Sequence, residues 1–230
     1  MDSERISIHG IPSIVWGRPS EKVYLHVHGK MSCKEYAADF AAIAEEKGHQ
    51  TISFDLPQHG ERQNEERRCD IWNGMHDLKL VRDYAFGRWN GVSLYACSLG
   101  AYFSLQTYAG DDFKKCLFHS PIVDMAYLVK QMMLWFDVSE DRLFEQQEID
   151  TPIDPLRWDY YRYIQSHPVE SWKVPTSILY GGKDVLQSRA VMREFAERYG
   201  CTLTIVEDSA HAFMEEKDAE IVREWLWEKI

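Results

Sequence analysis

The sequence alternates between short runs typical of β-strands and longer runs with helical spacing. The strand-like runs cover residues 5–9, 13–17, 23–27, 51–54, 92–96, 116–119, 176–180 and 202–206. The first two flank Gly10-Ile11-Pro12 and are expected to form a hairpin at a sheet edge. Helical spacing of apolar residues marks 34–47, 77–89 and 216–229. Strands separated by helices require right-handed crossovers, so we expect an α/β fold with a mostly parallel, doubly wound sheet of about eight strands and helices on both faces.

One stretch interrupts this alternation. Residues 121–173 lie between two predicted strands and are far longer than one crossover helix requires. Insertions of this length are usually functional, so we interpret this one as a helical cap over the C-terminal edge of the sheet, within a single domain of residues 1–230. Its aromatic residues are core by default, but some are candidates for substrate contact. These candidates are Trp135, Phe136, Phe144 and Trp158.

Charge and composition argue against several classes of partner. The formal net charge is −11, which disfavours nucleic acids and anionic membranes because those surfaces attract Lys and Arg. No apolar run approaches the roughly 18 residues of a membrane span, and the first residues lack the basic and apolar segments of a secretory signal. The five cysteines are scattered and contain no Cys-x-x-Cys pair, which favours a reducing compartment. We therefore expect a cytoplasmic protein.

Ser98 stands in Ala96-Cys97-Ser98-Leu99-Gly100, where a predicted strand runs directly into a helix that continues to Tyr108. A serine hydroxyl is a weak nucleophile unless it is exposed beside a base. A tight strand-to-helix turn exposes it, small residues two before and two after it allow close packing, and the helix N-terminus directs N–H groups at developing negative charge. Alanine replaces the first glycine of the usual Gly-x-Ser-x-Gly pattern. Taken alone, Ser98 could equally cap the helix.

The sequence as a whole resembles the α/β-hydrolase family, over nearly the entire chain. His28-Gly29 is similar to the His-Gly pair that follows a strand in members of this family. The resemblance implies that the backbone N–H groups of Lys30 and Leu99 form an oxyanion hole. The segment Asp55-Leu56-Pro57-Gln58-His59-Gly60 is also similar to a family segment that follows a strand.

The same resemblance suggests an acid and a base. Tyr180-Gly181-Gly182-Lys183-Asp184 is similar to the segment that carries the acid of the family, and His211 follows the last predicted strand, as the family histidine does. The order Ser98, Asp184, His211 is the order that this fold uses. Asp124, after the preceding strand, is a rival for the acid. The resemblance therefore implies a triad in which Ser98 is the nucleophile, His211 the general base and Asp184 the residue that orients the base.

The implied activity is that of a serine hydrolase that cleaves an ester-like bond of a small or medium apolar or aromatic substrate through an acyl-enzyme, without a cofactor. A carboxylesterase is the leading interpretation, and a thioesterase or acyl-peptidase would use the same groups. A non-catalytic ligand-binding protein of the same fold is an alternative from another class.

A metal-dependent hydrolase is a further alternative. His26 and His28 are two apart on a strand and are expected to face the same side. Together with Asp55 and His59 they could bind a divalent ion, since histidine and carboxylate are common ligands. The rest of a ligand set is not evident in the sequence, and this interpretation would leave the turn at Ser98 unexplained.

Overall fold

A computed structural model of the chain describes residues 1–230. Its strands are β1 (Ser3–Ile8), β2 (Ile11–Trp16), β3 (Lys22–Val27), β4 (Gln50–Phe54), β5 (Gly91–Cys97), β6 (Cys116–His119), β7 (Glu148–Ile149), β8 (Leu156–Arg157), β9 (Thr176–Gly181) and β10 (Thr202–Val206). Eight of them form one sheet, in the order β1-β2-β4-β3-β5-β6-β9-β10, and β7 pairs with β8 alone. The β1–β2 and β2–β4 pairs are antiparallel, and the other neighbours in the large sheet are parallel. The predicted mostly parallel sheet is confirmed.

The helices cover both faces of this sheet. They are α1 (Ala38–Glu46), α2 (Ile71–Phe86), α3 (Ser98–Thr107), α4 (Met125–Trp135), α5 (Glu140–Gln146), α6 (Trp158–Ser166), α7 (Arg189–Tyr199) and α8 (Glu216–Lys229), with short 3-10 turns at Lys34–Ala37 and Gly60–Arg62. The pair α1 and α8 packs on one face, and the pair α2 and α3 packs together on the other. None of the helices combines the length and the apolar character needed to cross a bilayer.

Alternation along the central strands explains the two cores. In β3, Val23, Leu25 and Val27 join the larger apolar cluster with α2 and α3, whereas Tyr24 joins the smaller cluster with α1 and α8. Successive side chains of a strand point to opposite faces, so a strand buried on both faces reads as a continuous apolar run. This is why the central strands are visible in the sequence.

Two elements differ from their predictions. The edge hairpin turns at His9 and Gly10, both with positive φ, so β2 begins at Ile11 and includes Pro12. Helix α2 begins at Ile71, six residues earlier than the apolar spacing indicates. The Asp70 carboxylate accepts the N–H of Asn73 and so caps the helix at this point.

The insertion between β6 and β9 holds three helices and a small ribbon. Helices α4 and α5 lead into the antiparallel strands β7 and β8, and α6 follows. The ribbon strands are two residues long, and residues 150–155 connect them. At its start, the insertion contacts the first residue of α3, where Ile122 N–H donates to the Ser98 carbonyl at 3.2 Å.

Candidate active site

Ser98 lies at the sharp turn between β5 and α3. Its φ is +45°, in the left-handed region that costs energy for a residue other than glycine. The turn is packed tightly against β3: a Cβ on Gly100 would lie 2.3 Å from the His28 carbonyl oxygen and 2.7 Å from that of Val27. Ala96, by contrast, lies inside β5, where its methyl group is fully buried. The local structure is therefore the strand–turn–helix that exposes a serine side chain.

A chain of hydrogen bonds links three side chains from separate loops. His211 Nε2 lies 2.8 Å from Ser98 Oγ, and His211 Nδ1 lies 2.6 Å from Asp184 Oδ2. A carboxylate only accepts, so Nδ1 carries the proton and Nε2 is free to accept from the serine hydroxyl. The geometry gives the imidazole the tautomer that a general base next to serine requires.

Asp184 is held rigidly behind the histidine. Its side chain has 0% exposure, and its second oxygen accepts the N–H groups of Leu186 at 2.7 Å and Gln187 at 3.2 Å. Asp124, the rival acid, is exposed and instead accepts the N–H of Tyr127 at 2.8 Å as the cap of α4. The structure brings Asp184, and not Asp124, to the histidine.

The predicted oxyanion donors flank the serine. A Cβ on Gly29 would lie 3.1 Å from Ser98 Cβ, so the peptide that joins Gly29 to Lys30 runs directly past the nucleophile. The N–H of Lys30 donates no hydrogen bond within the protein. Leu99 is the second residue of α3, and N–H groups of a first helical turn have no acceptor within the helix. Both donors are thus available beside Ser98.

Cys97, directly before Ser98, is a poor candidate for a nucleophile. Burial raises the pKa of its thiol to about 11, and only the thiolate is reactive. His119 at the end of β6 is also held neutral, because burial, with a smaller contribution from nearby His211, lowers its pKa to about 4. Its Nδ1 lies 3.1 Å from the hydroxyl of Tyr95.

The residues of the metal alternative do not converge on one point. His26 packs against the rings of Phe40 and Tyr95, with centroid distances of 5.5 and 4.9 Å. Burial lowers the pKa of His26 to about 3, with a further contribution from His28. No three His, Cys, Asp or Glu side chains are close enough to one another to bind a metal ion.

The other members of that set make hydrogen bonds to the backbone. His28 Nδ1–H donates to the Gly29 carbonyl at 2.7 Å, and its Nε2 accepts the N–H of Leu56 at 3.1 Å. His59 Nε2 accepts the N–H of Met31 at 3.2 Å, and Asp55 pairs with a lysine. The alternative set of His26, His28, Asp55 and His59 does not form a ligand arrangement, because the last three side chains bind the loops around them instead.

The four aromatic candidates of the insertion differ in burial. Trp135 and Phe144 are exposed, whereas Phe136 and Trp158 are half-buried and pack against the main core. A cavity of about 220 Å³ opens between α3, α6 and α7, and neither the triad nor any of these four aromatic residues lines it. This cavity is a separate feature from the surroundings of Ser98.

Three apolar side chains close to the triad in sequence are exposed. Met31 follows Lys30 and is 90% exposed, Met214 follows His211 by three residues and is 86% exposed, and Val185 directly follows Asp184. Single exposed apolar side chains are common on protein surfaces, and it is the position of these three near the candidate triad that makes them candidates for ligand contact. Sequence reasoning missed them, although their positions next to the motif residues could have indicated it.

Two ion pairs at the site were also missed. Lys34 Nζ lies 2.6 Å from Asp55 Oδ2, and Lys30 Nζ lies 2.6 Å from Asp154 Oδ1 in the ribbon loop. Asp55 carries a visible signal, since it stands at the end of a strand in a segment that the resemblance already singles out. Nothing in the sequence near Asp154 indicates its partner.

No protein-family model matches the chain, and no curated protein matches its sequence. Solved structures do match over almost its whole length. Est1E from Butyrivibrio proteoclasticus with ferulic acid bound has a TM-score of 0.76 at 20% identity, covering 98% of this chain and 96% of that one. Alpha/beta hydrolase domain-containing protein 10 from mouse has a TM-score of 0.77 at 14% identity, covering 98% and 97%.

A third match is the monoacylglycerol lipase of Paleococcus ferrophilus, with a TM-score of 0.68 at 17% identity over 95% of this chain and 98% of that one. At such identities the likeness concerns the fold. It agrees with the strand order of the large sheet and with the turn between β5 and α3. The chain therefore has the α/β-hydrolase fold.

Proposed function

We propose that this protein is a serine hydrolase that cleaves an ester bond of a small apolar or aromatic substrate through an acyl-enzyme on Ser98. The observation that carries the proposal is the unbroken hydrogen-bond chain from Asp184 through His211 to Ser98, with distances of 2.6 and 2.8 Å. Each group comes from a different loop at the same edge of the sheet, which is where doubly wound folds bind ligands. A ligand-binding module has no need of all three groups in this order.

The reaction follows from the positions of the protons. Ser98 Oγ attacks the substrate carbonyl while His211 Nε2 takes its proton, and buried Asp184 stabilises the imidazolium that forms. The carbonyl oxygen becomes an oxyanion that accepts hydrogen bonds from the N–H groups of Lys30 and Leu99. His211 then returns the proton to the leaving alcohol. A water molecule repeats these steps and releases the acid from Ser98.

The substrate preference is supported by the surroundings of the site. Met31, Val185 and Met214 are exposed apolar side chains close in sequence to Lys30, Asp184 and His211. Est1E, which shares the fold, was solved with ferulic acid, an aromatic acid. The matched monoacylglycerol lipase is, by its printed name, an enzyme that acts on esters. These observations favour a carboxylesterase for apolar acyl or aryl esters.

The test is covalent labelling with a fluorophosphonate probe, together with hydrolysis of acetyl, hexanoyl and aryl esters. We expect the wild type to be labelled and Ser98→Ala not to be. Ser120→Ala is a matched control, because Ser120 also follows a strand with positive φ, and its buried hydroxyl has no hydrogen-bond partner. An unlabelled wild type, or labelling that persists in Ser98→Ala, would overturn the proposal.

A further inference from the structure

The loop that carries Lys30 has little structure of its own. Between the end of β3 at Val27 and the 3-10 turn that begins at Lys34, the chain forms no helix or strand. The Lys30 N–H must nevertheless stay beside Ser98 if it is to act as an oxyanion donor. The contacts that hold this loop therefore bear on catalysis as well as on folding.

The far end of the loop is fixed by one buried carboxylate. Asp55 Oδ1 accepts the backbone N–H of Lys34 at 2.9 Å, and Asp55 Oδ2 accepts its Nζ at 2.6 Å. The Oδ2 atom also accepts the N–H of Glu61 at 3.0 Å. The side chains of Asp55 and Lys34 have 0% and 1% exposure. Charge-assisted hydrogen bonds of this kind are short and directional, so a single side chain sets both the position and the direction of the chain at Lys34.

Gly60 shows how closely this carboxylate is enclosed. A Cβ at Gly60 would lie 2.2 Å from Asp55 Oδ1. The carboxylate therefore has no room to move towards the turn at Gly60–Arg62, and the Lys34 end of the loop is tied to a rigid point.

The near end of the loop is fixed by two histidines. His28 Nδ1–H holds the Gly29 carbonyl at 2.7 Å, and His59 Nε2 accepts the N–H of Met31 at 3.2 Å. In a trans peptide the C=O and the following N–H point in opposite directions, and the chain contains no cis peptide. Orienting the Gly29 carbonyl therefore orients the Lys30 N–H as well.

We propose that Asp55 is a positioning residue for the oxyanion hole: through Lys34 it anchors the loop whose Lys30 N–H stabilises the transition state. The proposal rests on the function proposed above. A buried ion pair is weak evidence of a contribution to stability, since apolar replacements are often as stable. This pair instead joins the loop after β3 to the loop after β4, and the loop that it anchors passes Ser98.

Asp55→Asn is the informative change. Lys34 would keep counter-charges, because its Nζ also lies 3.1 Å from Glu35 and 2.8 Å from Glu61, so the variant is expected to fold. An amide nitrogen cannot accept the Lys34 Nζ or the Glu61 N–H, and the loop would lose its exact position. Removal of an oxyanion donor typically lowers kcat by 10²–10³-fold. We expect displacement of one donor to lower kcat by about 10–100-fold, with KM changed less than about threefold.

The measurements are steady-state kinetics with p-nitrophenyl acetate, inhibition by an alkyl trifluoromethyl ketone, and thermal melting. The ketone adduct on serine places an oxyanion on the same N–H groups, so its inhibition constant should rise by the same factor as kcat/KM falls. Arg5→Gln is the control, because Arg5 pairs with Glu35 and Glu61 from outside and makes no hydrogen bond to the loop. It should keep wild-type kinetics.

Each outcome decides a different point. A kcat of Asp55→Asn within twofold of the wild type, or a rise in KM alone, would overturn the positioning role. If Asp55→Asn does not fold, the neutral pair Lys34→Met/Asp55→Asn takes its place with the same expected loss. If neither folds, the pair serves the fold and the proposal is wrong. Activity retained in Ser98→Ala would instead overturn the serine mechanism, whatever Asp55 does.

Discussion

The candidate catalytic groups and the ribbon of the insertion are held in place by different forces. Asp184 is buried with three hydrogen bonds, and Ser98 is held in a strained conformation by its surroundings. Asp154 in the ribbon loop is instead half-exposed and is attached to Lys30 by an ion pair. Buried hydrogen bonds are costly to break, whereas exposed ion pairs contribute about 0–1 kcal/mol each.

Two more ion pairs attach the ribbon. Arg68 Nη1 contacts both oxygens of Glu148 at 2.9 and 3.0 Å, and Arg157 lies 3.2 Å from Asp70. They join the ribbon to the chain between β4 and α2, on the same side as the loop of Lys30. The Lys30 and Arg68 pairs are exposed, whereas the Arg157–Asp70 pair is mostly buried. We therefore expect the ribbon to be held less rigidly than the candidate catalytic groups. The predictions below test that division.

Ser98→Ala and His211→Ala should show the largest effect. Each is expected to reduce ester hydrolysis by about 10⁴-fold or more, since such groups act as a unit. Thermal melting should change little, because both side chains are partly exposed rather than core. A folded variant of either kind that keeps more than about a tenth of wild-type turnover would place the chemistry elsewhere.

Asp184→Asn should come next, with a loss of about 10³–10⁴-fold in kcat, because an amide favours the wrong tautomer of the histidine. Asp124→Asn is the matched control, since asparagine also caps helices well and Asp124 has no contact with His211. Its turnover should stay within twofold of the wild type. The opposite pattern of losses would move the acid to Asp124.

The stability of the folded chain should depend on pH through two buried histidines. Burial lowers the pKa of His26 to about 3 and that of His28 to about 4, so the unfolded chain binds protons that the folded one does not. Stability is therefore complete above about pH 6.5 and falls as the pH drops towards 4, by up to about 1.4 kcal/mol per pH unit for each histidine.

Thermal melts between pH 7.5 and 4.5 measure this slope. His26→Phe should reduce the slope of stability against pH, because it removes one titrating group. Phenylalanine should fit, since His26 already lies among the rings of Phe40 and Tyr95 and its Nδ1 has no partner. Exposed His76→Gln should leave it unchanged. An equal slope in His26→Phe would show that this buried histidine does not couple stability to pH.

We expect the insertion to control the preference among ester substrates rather than the turnover number. If residues 121–173 form a cap over the site, as the sequence suggests, alanine at Trp135, Phe136, Phe144 or Trp158 should change kcat/KM for long or aromatic esters more than for acetate esters. A buried apolar contact is worth about 1–3 kcal/mol of discrimination. Equal changes for acetyl, hexanoyl and aryl esters at all four positions would make the insertion structural cover.

Weakening the ion pairs of the ribbon should give the smallest effect, and it can be measured by varying the salt concentration. Raising the ionic strength to 0.5 M screens exposed pairs, and we expect KM for a neutral ester to change by about two- to threefold while kcat stays constant. Asp154→Asn should weaken that dependence, with Asp141→Asn, exposed elsewhere in the insertion, as the control. A dependence that survives in Asp154→Asn would show that this pair does not attach the ribbon.

The sequence predicts the elements whose information is local. Central strands buried on both faces are continuous apolar runs. Ser98 directly follows β5, whereas Asp184 and His211 lie in the loops after β9 and the edge strand β10.

The start of α2 was missed because the apolar spacing leaves out the cap at Asp70. In addition, Gly74 lowers helix propensity and is needed for a distant contact, since a Cβ there would lie 2.5 Å from the ring of Phe103. That requirement comes from α3, which no local rule takes into account.

The ion pairs were beyond prediction for a related reason. Lys34 and Asp55 are 21 residues apart, and Lys30 and Asp154 are further apart still. An acidic chain offers many carboxylates to each lysine, and the fold alone selects among them. The candidate triad could be predicted because the resemblance to the α/β-hydrolase family gives the order of its serine, acid and histidine. The ion pairs around these residues belong to no such motif.

The packing of α3 against β3 also affects how this sequence can vary over evolution. At Gly100, carbonyl oxygens of β3 and of the loop after it occupy the space that a side chain would need, while Ala96 accommodates its methyl group inside the strand. The turn thus tolerates a methyl group two residues before the nucleophile but not two residues after it. A pattern that requires glycine at both positions therefore passes over chains that, like this one, carry alanine at the first.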